Sequence, residues 1–143
     1  MYDILELSKY IICKFISYNK PLNNINLQKV LYLIQKRHLQ NDLIAFKEDF
    51  EIYKNFLIIE DVYYEWCYYG VMPITRIQEY NTSIEYSSLV DDILTEFYKL
   101  SDKERLYLIN PEILDLGKQL DFIPKYLIKG DIKWAYLKMK QLQ

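Results

Sequence analysis

Glycine and proline are scarce in this chain, with 3 and 4 residues among 143. That scarcity excludes collagen-like, low-complexity and linker-rich sequences, and a 51% hydrophobic share excludes a disordered one. Histidine occurs once, at His38, and cysteine twice, at Cys13 and Cys67. A zinc site needs three or four ligands at recognisable spacing, so neither a metal nor a cofactor is expected. The two cysteines are too few for a disulfide framework and fall inside apolar helical patterns, which predicts reduced core residues. Gly70, Gly117 and Gly130 are too dispersed to cradle a phosphate, and no nucleophile elbow, Walker loop or dinucleotide motif occurs. The longest uncharged stretch, Trp66 to Thr75, falls far short of the ~20 apolar residues of a membrane span. The opening Met1-Tyr2-Asp3 carries no basic and apolar leader pattern, so a cytoplasmic location without membrane contact is expected. Charge of one sign is also lacking: 18 Lys and Arg balance 20 Asp and Glu, which argues against a strongly basic nucleic-acid binder and an acidic nucleic-acid mimic.

What the chain has in abundance is helical periodicity. Ile4, Leu7, Ile11, Phe15 and Tyr18 recur at steps of three and four, widened by Ile12 and Ile16, and predict an amphipathic helix over residues 3–18. Asn19-Lys20-Pro21 breaks it. Asn23 or Asn24 can cap a second helix, whose stripe is Leu27, Val30, Leu31 and Ile34, with His38 continuing it as a packed, hydrogen-bonded residue. Partial alternation at Phe46, Phe50, Ile52 and Tyr53, then the run Phe56-Leu57-Ile58-Ile59, suggests a short β-hairpin around residues 44–58. Glu60 and Asp61 open a third helix with the stripe Val62, Tyr63, Trp66 and Tyr69, closed by Gly70. Two capping-box spacings, Thr82/Glu85 and Ser101/Glu104, mark helix starts, and Leu89, Ile93 and Phe97 share a face between them. Asn110-Pro111 is a further start, and the tail runs helically through Ile113, Leu116 and Leu120, breaks near Pro124 and Gly130, and resumes with Ile132, Ala135, Tyr136 and Met139. The fold class expected is mainly α, a single-domain helical bundle.

Two charge clusters stand out. Glu48, Asp49, Glu51, Glu60, Asp61 and Glu65 against Lys47 and Lys54 leave a net charge of −4 over residues 47–65. They form a solvated face, or, with His38, the acid and base of an enzyme with an open cleft. Lys125, Lys129, Lys133, Lys138 and Lys140 against Asp131 leave +4 over residues 125–143. This lysine-rich segment is either a solvated helix face or a contact for nucleic acid. Tyrosine is the compositional anomaly, 15 residues against 6 Phe and 2 Trp. Tyr63, Tyr64, Tyr68 and Tyr69 surround Trp66 so closely that rings must project on more than one side of a helix. Such rings either line the core edge or present an interface.

Lys20-Pro21-Leu22 followed by Leu27-Gln28-Lys29-Val30-Leu31-Tyr32 resembles the K-P-L and L-Q-K-L-L-Y signature of the Panacea domain, also called the SocA-like antitoxin domain, common in phage-associated proteins. Gln35 and His38 stand where that family carries the Gln and His of A-Q-x-W-H. Glu51-Ile52-Tyr53-Lys54 resembles its E-A-W-K, and Asp61-Val62-Tyr63 through Tyr69-Gly70 its x-V-Y-x-x-Y-x-x-Y-G. The resemblance implies a Panacea-like helical domain over residues 1–110, with residues 111–143 a helical extension packed on it. Three departures are visible. Asn55-Phe56-Leu57 replaces the family's Gly-Pro, Tyr53 its Trp, and Ile109-Asn110 its late Thr-His, so a tight glycine-dependent turn is not expected after Lys54.

The resemblance implies a non-catalytic module that neutralises a toxin, or inhibits another protein such as a host defence component, by direct contact. The expected contact residues are Gln28, Lys29, Tyr53, Lys54, Phe56, Tyr63, Tyr64, Trp66 and Tyr68. The alternative is a nucleic-acid-binding regulator that uses the terminal lysines.

Overall fold

A computed structural model describes residues 1–131. Helix α1, Ile4–Ser17, starts where Asp3 accepts a hydrogen bond from the Glu6 amide at 2.9 Å, and it buries Ile4, Leu7, Ile11, Ile12 and Phe15. Helix α2, Asn24–Gln40, is capped by Asn23, whose side chain accepts from the Asn26 amide at 2.8 Å. It packs against elements on nearly every side and buries Leu27, Val30, Leu31, Tyr32 and Ile34. That central position, more than its modest helix propensity, is what holds it as a helix.

The hairpin forms, but it is short. Strand β1, Glu51–Tyr53, pairs antiparallel with β2, Phe56–Ile58, with Tyr53 opposite Phe56 and Glu51 opposite Ile58. Upstream, Ala45, Phe46 and Phe50 are driven into the core; Ala45 and Phe46 lie outside any strand, and Phe50 makes only a lone antiparallel bridge to Ile123, away from the hairpin. The turn at Lys54-Asn55 is tight, and as expected it does not depend on a glycine: Lys54 itself takes φ +57°. A left-handed non-glycine residue costs roughly 1 kcal/mol or more, a cost met here by the paired strands on either side.

Helix α3, Glu60–Glu65, is shorter than the stripe predicted. Trp66 leaves helical geometry at φ −118° and ψ 17°, and a 3₁₀ turn, Cys67–Tyr69, follows, stopped by Gly70 at φ +57°. The break carries the Trp66 indole into the core and leaves the next residue, Cys67, exposed, so only one side of the turn is buried and the expectation of a core cysteine there is corrected. Cys13 is half-buried, and its thiol donates to the Gln78 carbonyl at 3.2 Å.

The chain then crosses α1 as an irregular strap. The Ile74 amide donates to the Leu22 carbonyl at 2.8 Å, the Asn81 amide to Glu6 at 2.8 Å and the Ser87 amide to the Tyr2 hydroxyl at 2.9 Å. Tyr10 stacks on Tyr86 at 4.5 Å and donates to Asp91, so several tyrosines line the core edge. No helix starts at Thr82. Asn81 accepts from both the amide and the hydroxyl of Ser83 instead, and this Asx turn takes the groups a helical start would have used.

Helix α4, Ser88–Tyr98, buries Val90, Ile93, Leu94 and Phe97 against α2. Helix α5, Asp102–Arg105, opens with the complete reciprocal box between Ser101 and Glu104, and α6, Pro111–Leu120, with the Asn110 cap and Pro111 in its first turn. Asp121 in left-handed geometry ends α6, an earlier stop than the one expected near Pro124, and α7, Lys125–Lys129, follows. Helix α6 lies on β1 and α7 on α2, and the Ile123 amide donates to the Phe50 carbonyl at 2.8 Å. Ile113, Ile123 and Ile128 share one buried cluster with Leu7, Leu31 and Phe97, so this segment is built into the core. The architecture is mainly α with one small antiparallel hairpin. The resumed helix expected from Ile132 lies outside the described residues, as do Lys133, Lys138 and Lys140.

Candidate functional site

Five of the nine expected contact residues come together around the hairpin turn. Tyr53 and Phe56 face each other across the last pair of the ladder, and both are exposed. The Tyr53 ring meets Tyr63 at 5.4 Å, Tyr63 meets Tyr64 at 5.4 Å, and Lys54 Nζ lies 5.5 Å from the centre of the Tyr53 ring. Tyr64 is 60% exposed. The result is a continuous surface of phenol rings edged by a cation. Tyr68, 93% exposed, packs on Tyr69 of the 3₁₀ turn.

Two expected contact residues are buried, a correction. Trp66 is 3% exposed and Gln28 is 1% exposed. The Gln28 side-chain carbonyl accepts from the Ile59 amide at 2.8 Å, and its amide donates to Asn24 at 3.2 Å; Asn24 in turn donates to the Tyr63 carbonyl at 3.0 Å. This network seats the start of α3 on α2, so Gln28 positions the tyrosines without meeting solvent. Gln35, seven residues on, does the same for another irregular segment: its carbonyl accepts from the Ala45 amide and its amide donates to the Phe46 carbonyl, both at 2.8 Å. Gln28 and Gln35 thus satisfy buried backbone groups of irregular segments that secondary structure leaves unpaired.

The remaining expected residue, Lys29, lines a groove with Ile25, Phe56, Leu57, Arg105 and Leu106 that encloses about 180 Å³. Burial pushes the Lys29 ammonium below the usual lysine range, the nearby Arg105 pushes it further, and Asp102 partly offsets both. Arg105 escaped sequence reasoning because nothing in its short helix hints that folding carries it to α2.

His38 is 4% exposed. Its Nδ1 donates to the Ile34 carbonyl at 2.8 Å, which leaves Nε2 to accept from the Ser87 hydroxyl at 3.3 Å, and Tyr2 packs edge-on against the ring at 5.8 Å. The open cleft required by a base role for His38 is missing: both ring nitrogens are occupied and the ring is walled in. Of the carboxylates, Glu60, Asp61 and Glu65 lie exposed on or beside α3, while Asp49 is paired with Lys125 at 2.8 Å. Lys129 pairs with Asp42 at 2.8 Å. Both described lysines of the alternative nucleic-acid set are thus engaged within the chain. Among the described residues no group of three or more His, Cys, Asp and Glu is placed to hold a metal, and no helix is long and apolar enough to cross a membrane.

No family model, curated protein or solved structure matches this chain.

Proposed function

We propose that this chain is a non-catalytic protein-binding module of the Panacea antitoxin kind, which neutralises a toxin or inhibits another protein by direct contact. The observation that carries this reading is the aromatic surface of exposed Tyr53, Phe56 and Tyr64, joined by the half-buried Tyr63 ring, with Lys54 beside it. Tyrosine offers large contact area for little lost side-chain entropy, and rings grouped around a cation are the composition of an interface centre. A buried polar network fixes their backbone beforehand, which lowers the ordering cost of association. Surface residues of this kind can change while the helical core persists, so partner choice resides in them. The ion pairs at Lys125 and Lys129 weigh against phosphate binding by α7.

The test is affinity purification of the tagged chain from its source, beside a variant carrying Lys54→Glu and Tyr64→Ala. Capture of a specific partner by the parent chain and its loss in the variant, with helical circular dichroism and thermal midpoint retained, is the expected result. Equal capture by both chains would overturn the assignment of this face.

A further inference from the structure

The groove beside the aromatic face has a different chemistry from the rings. Its walls, Ile25 on α2, Phe56 and Leu57 on β2 and Leu106 after α5, are apolar, and two cations, Lys29 and Arg105, stand among them. Lys29 forms no hydrogen bond or salt bridge among the described residues. Arg105 stacks on Phe97 with its guanidinium carbon 4.2 Å from the ring centre and donates one Nη2 hydrogen bond to the Phe97 carbonyl at 3.2 Å. Its Nε is buried and has no partner. Two like charges therefore share a partly dry groove, and the carboxylate that acts on both, Asp102, hydrogen-bonds neither. Burying cations without an acceptor is unfavourable, so the free protein already bears the desolvation that an incoming anion would otherwise impose.

The groove's size narrows the occupant. Small-molecule sites run to about 300–1,000 Å³, whereas this groove encloses about 180 Å³, room for a side chain and part of its neighbour. Its walls are mostly carbon, which suits an apolar residue next to the charge better than a phosphate backbone.

We propose that this groove receives an acidic anchor from the protein partner: an Asp or Glu carboxylate between Lys29 and Arg105, with an adjoining apolar side chain against Phe56 and Leu106. The proposal rests on the protein-binding reading above and supplies the partner chemistry that reading leaves open.

The test is an NMR titration of the full isotope-labelled chain with acetyl-Leu-Glu-Leu-amide, its glutamine counterpart acetyl-Leu-Gln-Leu-amide, and inorganic phosphate. The glutamate peptide should shift the Lys29 ε-methylene and Arg105 Nε resonances and saturate at millimolar concentration. The glutamine peptide should bind at least about tenfold more weakly. Lys29→Gln, and separately Arg105→Gln, should reduce the glutamate peptide to the level of the glutamine one. Should Arg105→Gln unfold the chain by unseating Phe97, Lys29→Gln carries the comparison alone. Equal binding of both peptides, phosphate shifting the same resonances as strongly as the glutamate peptide, or silence at Lys29 and Arg105 would each overturn the proposal. The two readings fail separately: the titration needs no natural partner, and a chain that captures a partner equally well with Lys29→Glu refutes the groove alone.

Discussion

The phenol of Tyr32 donates to Oδ2 of Asp131 at 2.6 Å inside the core, tying the middle of α2 to the last described residue of the chain. Tyr32 is fully buried and Asp131 nearly so, and the other carboxylate oxygen, Oδ1, has no partner. The Asn110 amide at 3.3 Å and the Lys36 ammonium, which donates to the Asp131 main-chain carbonyl at 3.1 Å, complete the cluster. Burial pushes the Asp131 carboxyl above the usual carboxylate range, and the Tyr32 bond, Lys36 and the Asn110 amide offset only part of that.

A pH dependence follows from Asp131. A carboxyl raised in the folded state contributes stability that is full below its unfolded pKa and is lost as pH rises through the folded one. Asp131→Asn keeps an acceptor for Tyr32 and removes the titration. Urea unfolding between about pH 4 and about pH 8 should therefore show the parent chain losing stability relative to the variant as pH rises. A relative gain by the parent chain over that range would contradict the assignment.

Gln28→Leu should destabilise the fold by about 1–3 kcal/mol, because the buried Ile59 amide then has no acceptor. Chemical denaturation measures this as a lower midpoint at unchanged slope. Tyr64→Ala, which truncates an exposed ring, should change stability by about 0.5 kcal/mol or less. The contrast separates a residue that positions the face from one that forms it.

Lys54→Gly should stabilise the hairpin by about 0.5–1 kcal/mol, since glycine adopts the positive φ of the turn at little steric cost and loses only part of the gain to its freer unfolded chain. A higher denaturation midpoint is the expected readout, and a lower one would mean that the cation over Tyr53 outweighs the backbone strain.

Gly117→Ala in α6 should lower stability despite alanine's better helix propensity. The new methyl would lie 2.9 Å from Ile123 Cγ1 and 3.1 Å from Ile52 Cγ1, positions close to the backbone that cannot swing aside. Overpacking of about 1–3 kcal/mol exceeds the propensity gain of about 1 kcal/mol. Thermal unfolding of the two chains side by side decides it.

Local signals were read correctly where their partners lie a few residues away. The cap at Asn23, the reciprocal box at Ser101 and Glu104, and the Asn110-Pro111 start each depend on hydrogen bonds within one turn, and each is present. The same logic failed at Thr82, where Asn81 competes for the amides while Glu6, from a distant part of the chain, holds the Asn81 backbone. Helix spacing placed His38 on the buried stripe, but it could not tell that Trp66 ends α3 by turning inward.

The sequence by itself determined the helical class, the site of the hairpin and most helix boundaries, because periodicity and capping act over a single turn of chain. Only the tertiary structure decided which tyrosines meet solvent, that Gln28 serves the interior, and that Arg105 stands beside Lys29. Those outcomes depend on which surfaces α2 covers as the core closes around it, and burial of that kind is a property of the assembled chain that no local pattern encodes.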